Sequence, residues 1–423
     1  GGSLGHYVVG VVGLTLAGAV PLVARIVRCP VRLRSLFRNP MFQVLVFLAA
    51  LMWFLIILRN GPRFDYAFDH WYHISHIREA LESRQIIPGN AYWSDLSPSE
   101  TYGLWHALLA GVGRMASIDV IVLWRIANAY LAALGFVVMV AVGRTVLAND
   151  VMGVIAGLIL FANPLEPIGI METFAYPWGI TYLLLWTGLG LVYRYLRSDS
   201  VRFGISAVAI GCMPILIHAQ EYLFLCFAAL ALLAAGLLIR VSHQGESVDV
   251  KRVGLFLAAL VLLGLPMLVA KYPNRMSVQL TRHVKASGSG GALELYGHPL
   301  AKWLARAFPY YWKVRYLFAI LMPFAFLSLP LSLALPGAID KEARWFLITL
   351  TWAPVLAAFV PGLSWISHQV LNETYAWRLI LLVPANLVLA AIVFTRCFYS
   401  SIVYRWTVLW CFRIHERAMR FQD

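Results

Sequence analysis

A short run of acids and histidines between Asp65 and Glu79 is the part of the chain best equipped for chemistry. It reads Asp-Tyr-Ala-Phe-Asp-His-Trp-Tyr-His-Ile-Ser-His-Ile-Arg-Glu, and it follows an apolar run from Met41 to Leu58 that is long enough to cross a bilayer. Ionisable side chains are costly to place at a membrane boundary. Their concentration at this point therefore predicts catalysis or binding.

The spacing within this run is helical. On a helix, Asp69, His73 and His76 lie at positions i, i+4 and i+7 and share one face. Such a face can bind a divalent metal ion such as Mg²⁺ or Mn²⁺, or it can be a plain polar face at the membrane interface. Asp65 and Asp69 can also cap a helix that begins near His70. Catalytic, metal-binding and capping interpretations all stay open at the level of the sequence.

The composition predicts a polytopic membrane protein. Mean hydropathy is +0.75, 61% of the residues are hydrophobic and 13% are charged, which lies far outside the range of soluble domains. The predicted spans are 6–27, 40–58, 120–143, 150–163, 177–195, 203–217, 219–239, 253–270, 316–336, 345–361 and 377–395. We therefore predict an all-α fold of about 11 transmembrane helices, forming one domain over residues 1–423 in the plasma membrane or an equivalent membrane.

Arginine and lysine set the expected orientation. The segment 28–39 and the C-terminal tail are rich in arginine and are predicted to be cytoplasmic. Residues 59–118 then form one external loop with two amphipathic helices, at about 70–84 and 101–116, and residues 271–315 form a second external loop that is basic. The net charge of +14 indicates membrane lipid or phosphate as a partner, and no nucleic acid is expected.

This topology places five polar segments on the non-cytoplasmic face. They are the first external loop with Asp65, Asp69, His73 and His76, the loop 163–177 with Glu172, the tight turn with His218 and Glu221, the basic loop with Lys271 and Arg275, and the segment before the last span with His368, Glu373 and Arg378. Acids, imidazoles and cations that come together from separate segments are typical of a binding or catalytic site. The plainer alternative is a set of solvated polar residues, with Arg378 paired to Glu373.

Two short motifs carry a family resemblance. The residues Asp69-His-Trp-Tyr-His73-Ile-Ser-His-Ile77 resemble the Asp-x-Tyr-Tyr-His-x-x-x-Ile signature in the first external loop of some oligosaccharyltransferase catalytic subunits, with Trp71 in place of the first tyrosine. Ile86-Ile-Pro88 resembles the usual end of the first loop helix. The wider layout is similar to the GT-C class of integral-membrane glycosyltransferases, which have a span, a long external loop with an essential acid near its start, and many further spans.

The resemblance implies transfer of a sugar from a polyprenyl-phosphate-linked donor to a glycan, lipid or protein acceptor on the non-cytoplasmic face. Asp69 would take the position of the essential first-loop acid, with Asp65 as a second candidate, and Glu172 a position like the acid of the second external loop. The other polar residues of the five segments would bind substrates. The chain has no Trp-Trp-Asp-Tyr-Gly motif, so a sequon-reading oligosaccharyltransferase is not expected.

Two other classes of function stay open. One is a transporter or flippase of lipid-linked or anionic substrates, and the other is a non-catalytic subunit of a membrane complex. Transporters tend to place ionisable groups near the bilayer midplane, between inverted repeats. Here the charges group at one boundary and no inverted repeat is evident in the sequence, which favours the enzyme.

Overall fold

The computed structural model describes part of the chain, and the regular elements within that part are helical. The described residues are 43–44, 47–51, 68–83, 103–162, 175–198, 200–241, 249–271, 339–360, 363, 379 and 382–399. The helices are α1 (Phe68–Ser83), α2 (Gly103–Ala116), α3 (Val120–Leu147), α4 (Asp150–Ala162), α5 (Pro177–Arg197), α6 (Val201–Ile217), α7 (Gln220–Val241), α8 (Val250–Lys271), α9 (Lys341–Phe359) and α10 (Ala385–Tyr399). The predicted all-α fold is confirmed for these residues.

Three of the helices are long and apolar enough to cross a membrane. They are Val120–Leu147, Gln220–Leu238 and Val250–Val269, with mean hydropathies of 2.1, 2.1 and 2.3. Shorter apolar helices cover Asp150–Leu160, Val201–Ile217 and Ala385–Phe394. Several of these helices also expose large apolar side chains, as α8 does with Leu262 and Leu263. The segments agree with membrane association, and the number of about 11 spans stays a prediction.

Both amphipathic helices predicted in the first external loop are present. Helix α1 begins at Phe68, so Asp69 lies inside its first turn and not at the N-cap. Helix α2 begins at Gly103, two residues after the predicted start. Residues 59–67 and 84–102 of the loop lie outside the described residues.

Packing divides the chain into two compact units, and the predicted single transmembrane domain stays a prediction. The first unit holds residues 1–138, 163–227 and 254–288, and the second holds residues 139–162, 228–253 and 289–423. In the first unit α1 packs on α2, and α5 packs along α6, which also contacts α2. Pro177 stands at the start of α5, where the missing N–H of proline costs no hydrogen bond.

Glycines allow close helix packing within the first unit. A Cβ added at Gly204 of α6 would stand 3.0 Å from the ring of Tyr195 at the end of α5. A Cβ at Gly211 would lie 2.5 Å from the side chain of Leu225, so α6 and α7 approach closely. Between α7 and α8, the hydroxyl of Tyr222 donates a hydrogen bond to a backbone carbonyl of α8 at 3.1 Å. These contacts hold the turn between α6 and α7 in a fixed position.

In the second unit the end of α3 and the start of α4 form a tight hairpin. A Cβ at Gly143 would stand 2.9 Å from the Cα of Gly153, so the two backbones nearly touch. The connecting residue Ala148 has a φ of 52°, and the side chain of Asn149 accepts hydrogen bonds from the first backbone amides of α4. Helix α10 packs on α4 and on α9.

The last predicted span, 377–395, differs from the observed helix. Helix α10 starts at Ala385, directly after Pro384, and continues to Tyr399. Proline lacks an amide hydrogen and clashes with the preceding helical turn, so it starts a helix more readily than it continues one. The predicted spans 6–27 and 316–336 lie outside the described residues.

Candidate functional site

Helix α1 turns a row of imidazoles toward the interior of the first unit. His70, His73 and His76 are all buried, with at most 6% of each residue exposed. They follow one another at intervals of three residues, which keeps them on one side of the helix. The apolar residues Ile74 and Ile77 are buried on the same side. The buried face of α1 is therefore partly polar, which requires polar partners on the helices packed against it.

The first of these partners comes from α2. The Nδ1 atom of His73 lies 2.9 Å from the Nε2 atom of His106, which is a hydrogen bond between two buried imidazoles. The ring of His106 also lies edge-on to the ring of His76, with the centroids 5.2 Å apart. We call His70, His73, His76 and His106 the imidazole cluster. It joins α1 and α2, and the hydrogen-bonded pair His73–His106 is 33 residues apart in the sequence.

Aromatic residues from α3 and from the start of α5 close the cluster. The indole Nε1 of Trp124 donates a hydrogen bond to His70 Nδ1 at 3.1 Å, and its ring stacks on His73 at 5.7 Å with an interplanar angle of 17°. The ring of Tyr176 lies 4.8 Å from each of these two imidazoles. The cluster is thus enclosed by rings that exclude water but offer few charges.

The backbone of Ala175 is held at the same place by two side chains. Trp105 of α2 donates its indole N–H to the carbonyl of Ala175 at 2.8 Å, and the amide of Ala175 donates to Asn128 Oδ1 of α3 at 2.9 Å. Ala175 follows the segment 163–174, which carries Glu172. The end of the predicted loop 163–177 therefore lies beside the imidazole cluster.

A buried imidazole–carboxylate pair occupies the turn between α6 and α7. The Nδ1 atom of His218 lies 2.6 Å from Glu221 Oε2, and the two residues are 5% and 0% exposed. His218 is the C-cap of α6, and its backbone amide bonds to the carbonyl of Pro214. Glu221 lies in the first turn of α7, where the helix dipole favours a negative charge. His218 is close enough to His73 to influence its pKa.

The electrostatics of the cluster favour uncharged imidazoles. Burial, together with repulsion from His76, His70 and His218, lowers the pKa of His73 to about 3. Burial and repulsion from His73 and His76 hold the pKa of His106 well below its usual range, and burial lowers the pKa of His76. A proton added inside the cluster would lose hydration and face neighbouring imidazoles. At neutral pH these rings act as hydrogen-bonding groups and not as cations.

His76 is polar, buried and without a hydrogen-bond partner among the described residues. Neither its Nδ1 nor its Nε2 atom bonds to another described group, although the residue is only 2% exposed. Its ring instead packs on Tyr72, with the centroids 4.3 Å apart. A buried imidazole in this condition is destabilising unless water or a ligand binds it.

The metal interpretation receives no support from the side chains that the structure describes. Among them, no group of three or more His, Cys, Asp or Glu residues is arranged to hold a metal ion. The Nδ1 atom of His73 is already engaged by His106, and the side chain of Asp69 lies outside the described part. The predicted metal site at Asp69, His73 and His76 stays a prediction.

The predicted site residues fall into three groups. His73, His76, His218 and Glu221 are described and lie in the first unit, where His73 is electrostatically coupled to both His76 and His218. The backbones of Asp69 and Lys271 are described, within α1 and at the end of α8. The candidates Asp65, Glu172, Arg275, His368, Glu373 and Arg378 lie outside the described residues. Their convergence on the site stays a prediction.

Several residues of the site were not predicted as site residues from the sequence. The sequence places His106 and Trp105 only in an amphipathic helix. It places Trp124 and Asn128 in a span and Tyr176 in a loop. For two of these residues, His106 and Asn128, the sequence does contain a signal of a buried polar site. A histidine in the apolar helix α2 and an asparagine in the apolar helix α3 each need a buried partner. The aromatic residues carried no comparable signal.

Comparison of the chain with protein-family models, with curated proteins and with solved structures found no match. The candidate function therefore depends on the chemistry of the residues and on the sequence resemblance described above.

Proposed function

We propose that this chain is a membrane-embedded glycosyltransferase with about 11 spans. It transfers a sugar from a polyprenyl-phosphate donor to a glycan, lipid or protein acceptor, with its site on the non-cytoplasmic face. The apolar helices α3, α7 and α8 supply surfaces on which a lipid-linked donor can reside. The first-loop helices α1 and α2 carry the motif on which the resemblance to the GT-C class depends.

The observation that carries the proposal is the buried pair His218–Glu221 beside the imidazole cluster. Transfer from a glycosyl phosphate needs a group that takes the proton of the acceptor hydroxyl. A carboxylate 2.6 Å from an imidazole is an arrangement suited to proton transfer. Because the surroundings are aromatic and largely dry, electrostatic interactions with a developing charge are stronger there than in water.

Three separate segments meet in the first unit, as a two-substrate site requires. The first loop contributes the imidazole cluster, the residues before α5 contribute Ala175 and Tyr176, and the turn between α6 and α7 contributes the His218–Glu221 pair. Each segment lies within a helix or directly beside one, so the three are held by helix packing. Rigid support of this kind favours a precise geometry of reacting groups.

The remaining roles follow the sequence resemblance. Asp69 acts as the essential acid of the first loop, either toward the acceptor or as a ligand of a divalent metal such as Mg²⁺ or Mn²⁺, and Asp65 and Glu172 are further candidate acids. Lys271, Arg275 and Arg378 neutralise the phosphate that departs with the polyprenyl chain. His368 and Glu373 complete the binding of the sugar.

The test is transfer by purified protein reconstituted in liposomes, with tritiated polyprenyl-phosphate hexoses and pentoses as donors. We expect Asp69→Asn to keep the melting temperature and to lose about 10²–10⁴-fold in turnover, the range associated with removal of an acid–base group. Asp65→Asn, four residues earlier in the sequence, tests the second candidate acid in the same assay. Unchanged turnover in Asp69→Asn would remove that residue from the chemistry, and wild-type protein that leaves every donor intact would contradict the proposed function.

A proton-coupled transporter is the second candidate. The observation that favours it is the imidazole cluster, because buried histidines in membrane proteins commonly belong to proton pathways. The same liposomes distinguish the two functions. Transport moves a fluorescent donor analogue between the leaflets without breaking it, whereas the proposed enzyme consumes the donor.

A further inference from the structure

The His218–Glu221 pair has the geometry of an oriented base. Glu221 is fully buried in the first turn of α7, and its Oε2 atom accepts the hydrogen bond of the Nδ1–H group of His218 at 2.6 Å. This bond fixes the tautomer of the imidazole and makes Nε2 its basic nitrogen. The second carboxylate oxygen, Oε1, is buried without a hydrogen-bond partner among the described residues. The carboxylate is therefore directed at the imidazole.

The other buried histidines of the site have different described partners. His73 and His106 bond to each other, and His70 accepts a hydrogen bond from the indole of Trp124. The hydrogen bonds shown for these three rings join them to an imidazole or to an indole N–H group. The hydrogen bond shown for His218 joins it to a carboxylate, a group that stabilises an imidazolium. The geometry of the His218–Glu221 pair is therefore that of a base with its positioning carboxylate.

The low basicity of the imidazole cluster also favours His218 over the cluster histidines as the base. A general base works best when its pKa lies near the operating pH. Burial and repulsion from its neighbours lower the pKa of His73 to about 3, and they hold the pKa of His106 well below its usual range. These rings would take up a proton from an acceptor only poorly at neutral pH.

Resting on the proposed function, we propose that His218 is the general base that deprotonates the acceptor hydroxyl and that Glu221 is its positioning residue. The proton of the hydroxyl moves to Nε2 of His218. The acceptor oxygen forms a bond to the anomeric carbon of the sugar, and the bond between that carbon and the phosphate oxygen breaks with its electron pair on the phosphate. The proton then leaves His218 to solvent, and polyprenyl phosphate is released.

This assignment separates the roles of two acids. Glu221 acts through His218, whereas Asp69 acts on the acceptor without taking its proton, or on a metal ion. The two sets of variants are therefore expected to differ in their response to an added base. A small added base can restore part of the activity that is lost with the His218 imidazole. It cannot restore the activity that is lost with the Asp69 carboxylate.

The experiment uses reconstituted full-length protein with tritiated polyprenyl-phosphate hexoses and pentoses, and with water and octyl glycosides as acceptors. We expect His218→Ala to lower kcat by about 100-fold or more with little change in KM. Added imidazole should restore a part of kcat, and methylimidazoles of higher pKa should restore more. In the double variant His218→Ala, Glu221→Gln the rescue should weaken, because the carboxylate that orients the added imidazole is lost. Asp69→Asn should show no rescue.

A second variant covers the case in which His218→Ala does not fold. His218→Asn keeps a hydrogen-bond donor near the position of Nδ1, so its contact with Glu221 is retained, but it has no basic nitrogen. It should fold and should show the same loss of kcat. A folded His218→Asn protein with wild-type kcat overturns the proposal, and so does a folded, donor-binding His218→Ala protein that no imidazole rescues. Wild-type protein that consumes no donor overturns the proposed function itself.

Discussion

Acidification is expected to destabilise the first unit through the imidazole cluster. The pKa of His73 is about 3 in the folded protein and 6.5 in its ordinary state. Between these values the unfolded chain binds a proton that the folded chain does not bind. The free energy of unfolding must therefore fall as the pH falls through this window.

The size of the effect follows from the two pKa values. Between about pH 7.5 and pH 5, one histidine with these values removes about 2 kcal/mol from the free energy of unfolding. The result depends mainly on the unfolded pKa, because the folded pKa lies well below pH 5. His106 behaves in the same way, since burial and its neighbours hold its pKa well below the usual range. The contribution of His73 alone is already a sizeable part of the about 5–15 kcal/mol that stabilises a typical domain.

The assay is the melting temperature in detergent micelles at the two pH values, with a chelator present. His106→Gln places an amide near the position of Nε2, so it can keep the hydrogen bond to His73, but it cannot titrate. We expect its melting temperature at about pH 7.5 to stay near the wild-type value. Its loss of melting temperature on acidification should be smaller than that of the wild type, because one titrating imidazole is absent. Tyr72→Phe is the control, because Tyr72 contacts His73 and His76 and the substitution removes no imidazole.

One outcome would refute this reasoning. If wild type and His106→Gln lost the same stability between the two pH values, the acid response would belong to carboxylates elsewhere in the chain. His106 would then take up its proton in the folded protein over the same pH range as in the unfolded chain.

Three further predictions concern packing, anchoring and topology. Gly153→Ala should cost about 1–3 kcal/mol in melting experiments, because its Cβ would lie 2.8 Å from a backbone carbonyl of α3, whereas Gly188→Ala meets only a leucine methyl at 3.4 Å and should cost less. Trp105→Phe removes the hydrogen bond to the chain before α5 and leaves a buried carbonyl without its donor, so we expect a loss of about 1–3 kcal/mol in the same assay. Single cysteines at Ser97 and Ser289 should both react with an impermeant maleimide in intact cells, and labelling of one alone would place the two long loops on opposite sides.

The helices could be predicted from the sequence because their signals are local. Long apolar runs, Pro177 at the start of α5 and the amphipathic pattern of α1 and α2 are visible without tertiary contacts. The error at the last span has a local cause too, since the apolar pattern continues through Pro384 while the helix begins after it. Apolar periodicity alone does not locate a helix start.

The imidazole cluster could be predicted only in part. The spacing of Asp69, His73 and His76 indicates one helical face, and their placement on α1 agrees with it. The bond between His73 and His106 joins residues far apart in the sequence, so no local pattern indicates it. The same holds for Trp124, whose indole bonds to His70. Contacts of this kind depend on how α1, α2 and α3 pack, and one sequence does not determine that packing by inspection.

The hairpin of α3 and α4 has a consequence for how the protein enters a membrane. Its two helices are joined by Ala148 and Asn149, and their backbones meet at Gly143 and Gly153. In lipid, apolar side chains gain little by leaving one hydrocarbon environment for another, but close van der Waals contact between small residues persists. The contact also joins residues near in sequence, so it can form as soon as both segments have been synthesised. This part of the chain is therefore suited to insert as a ready-made pair during biogenesis.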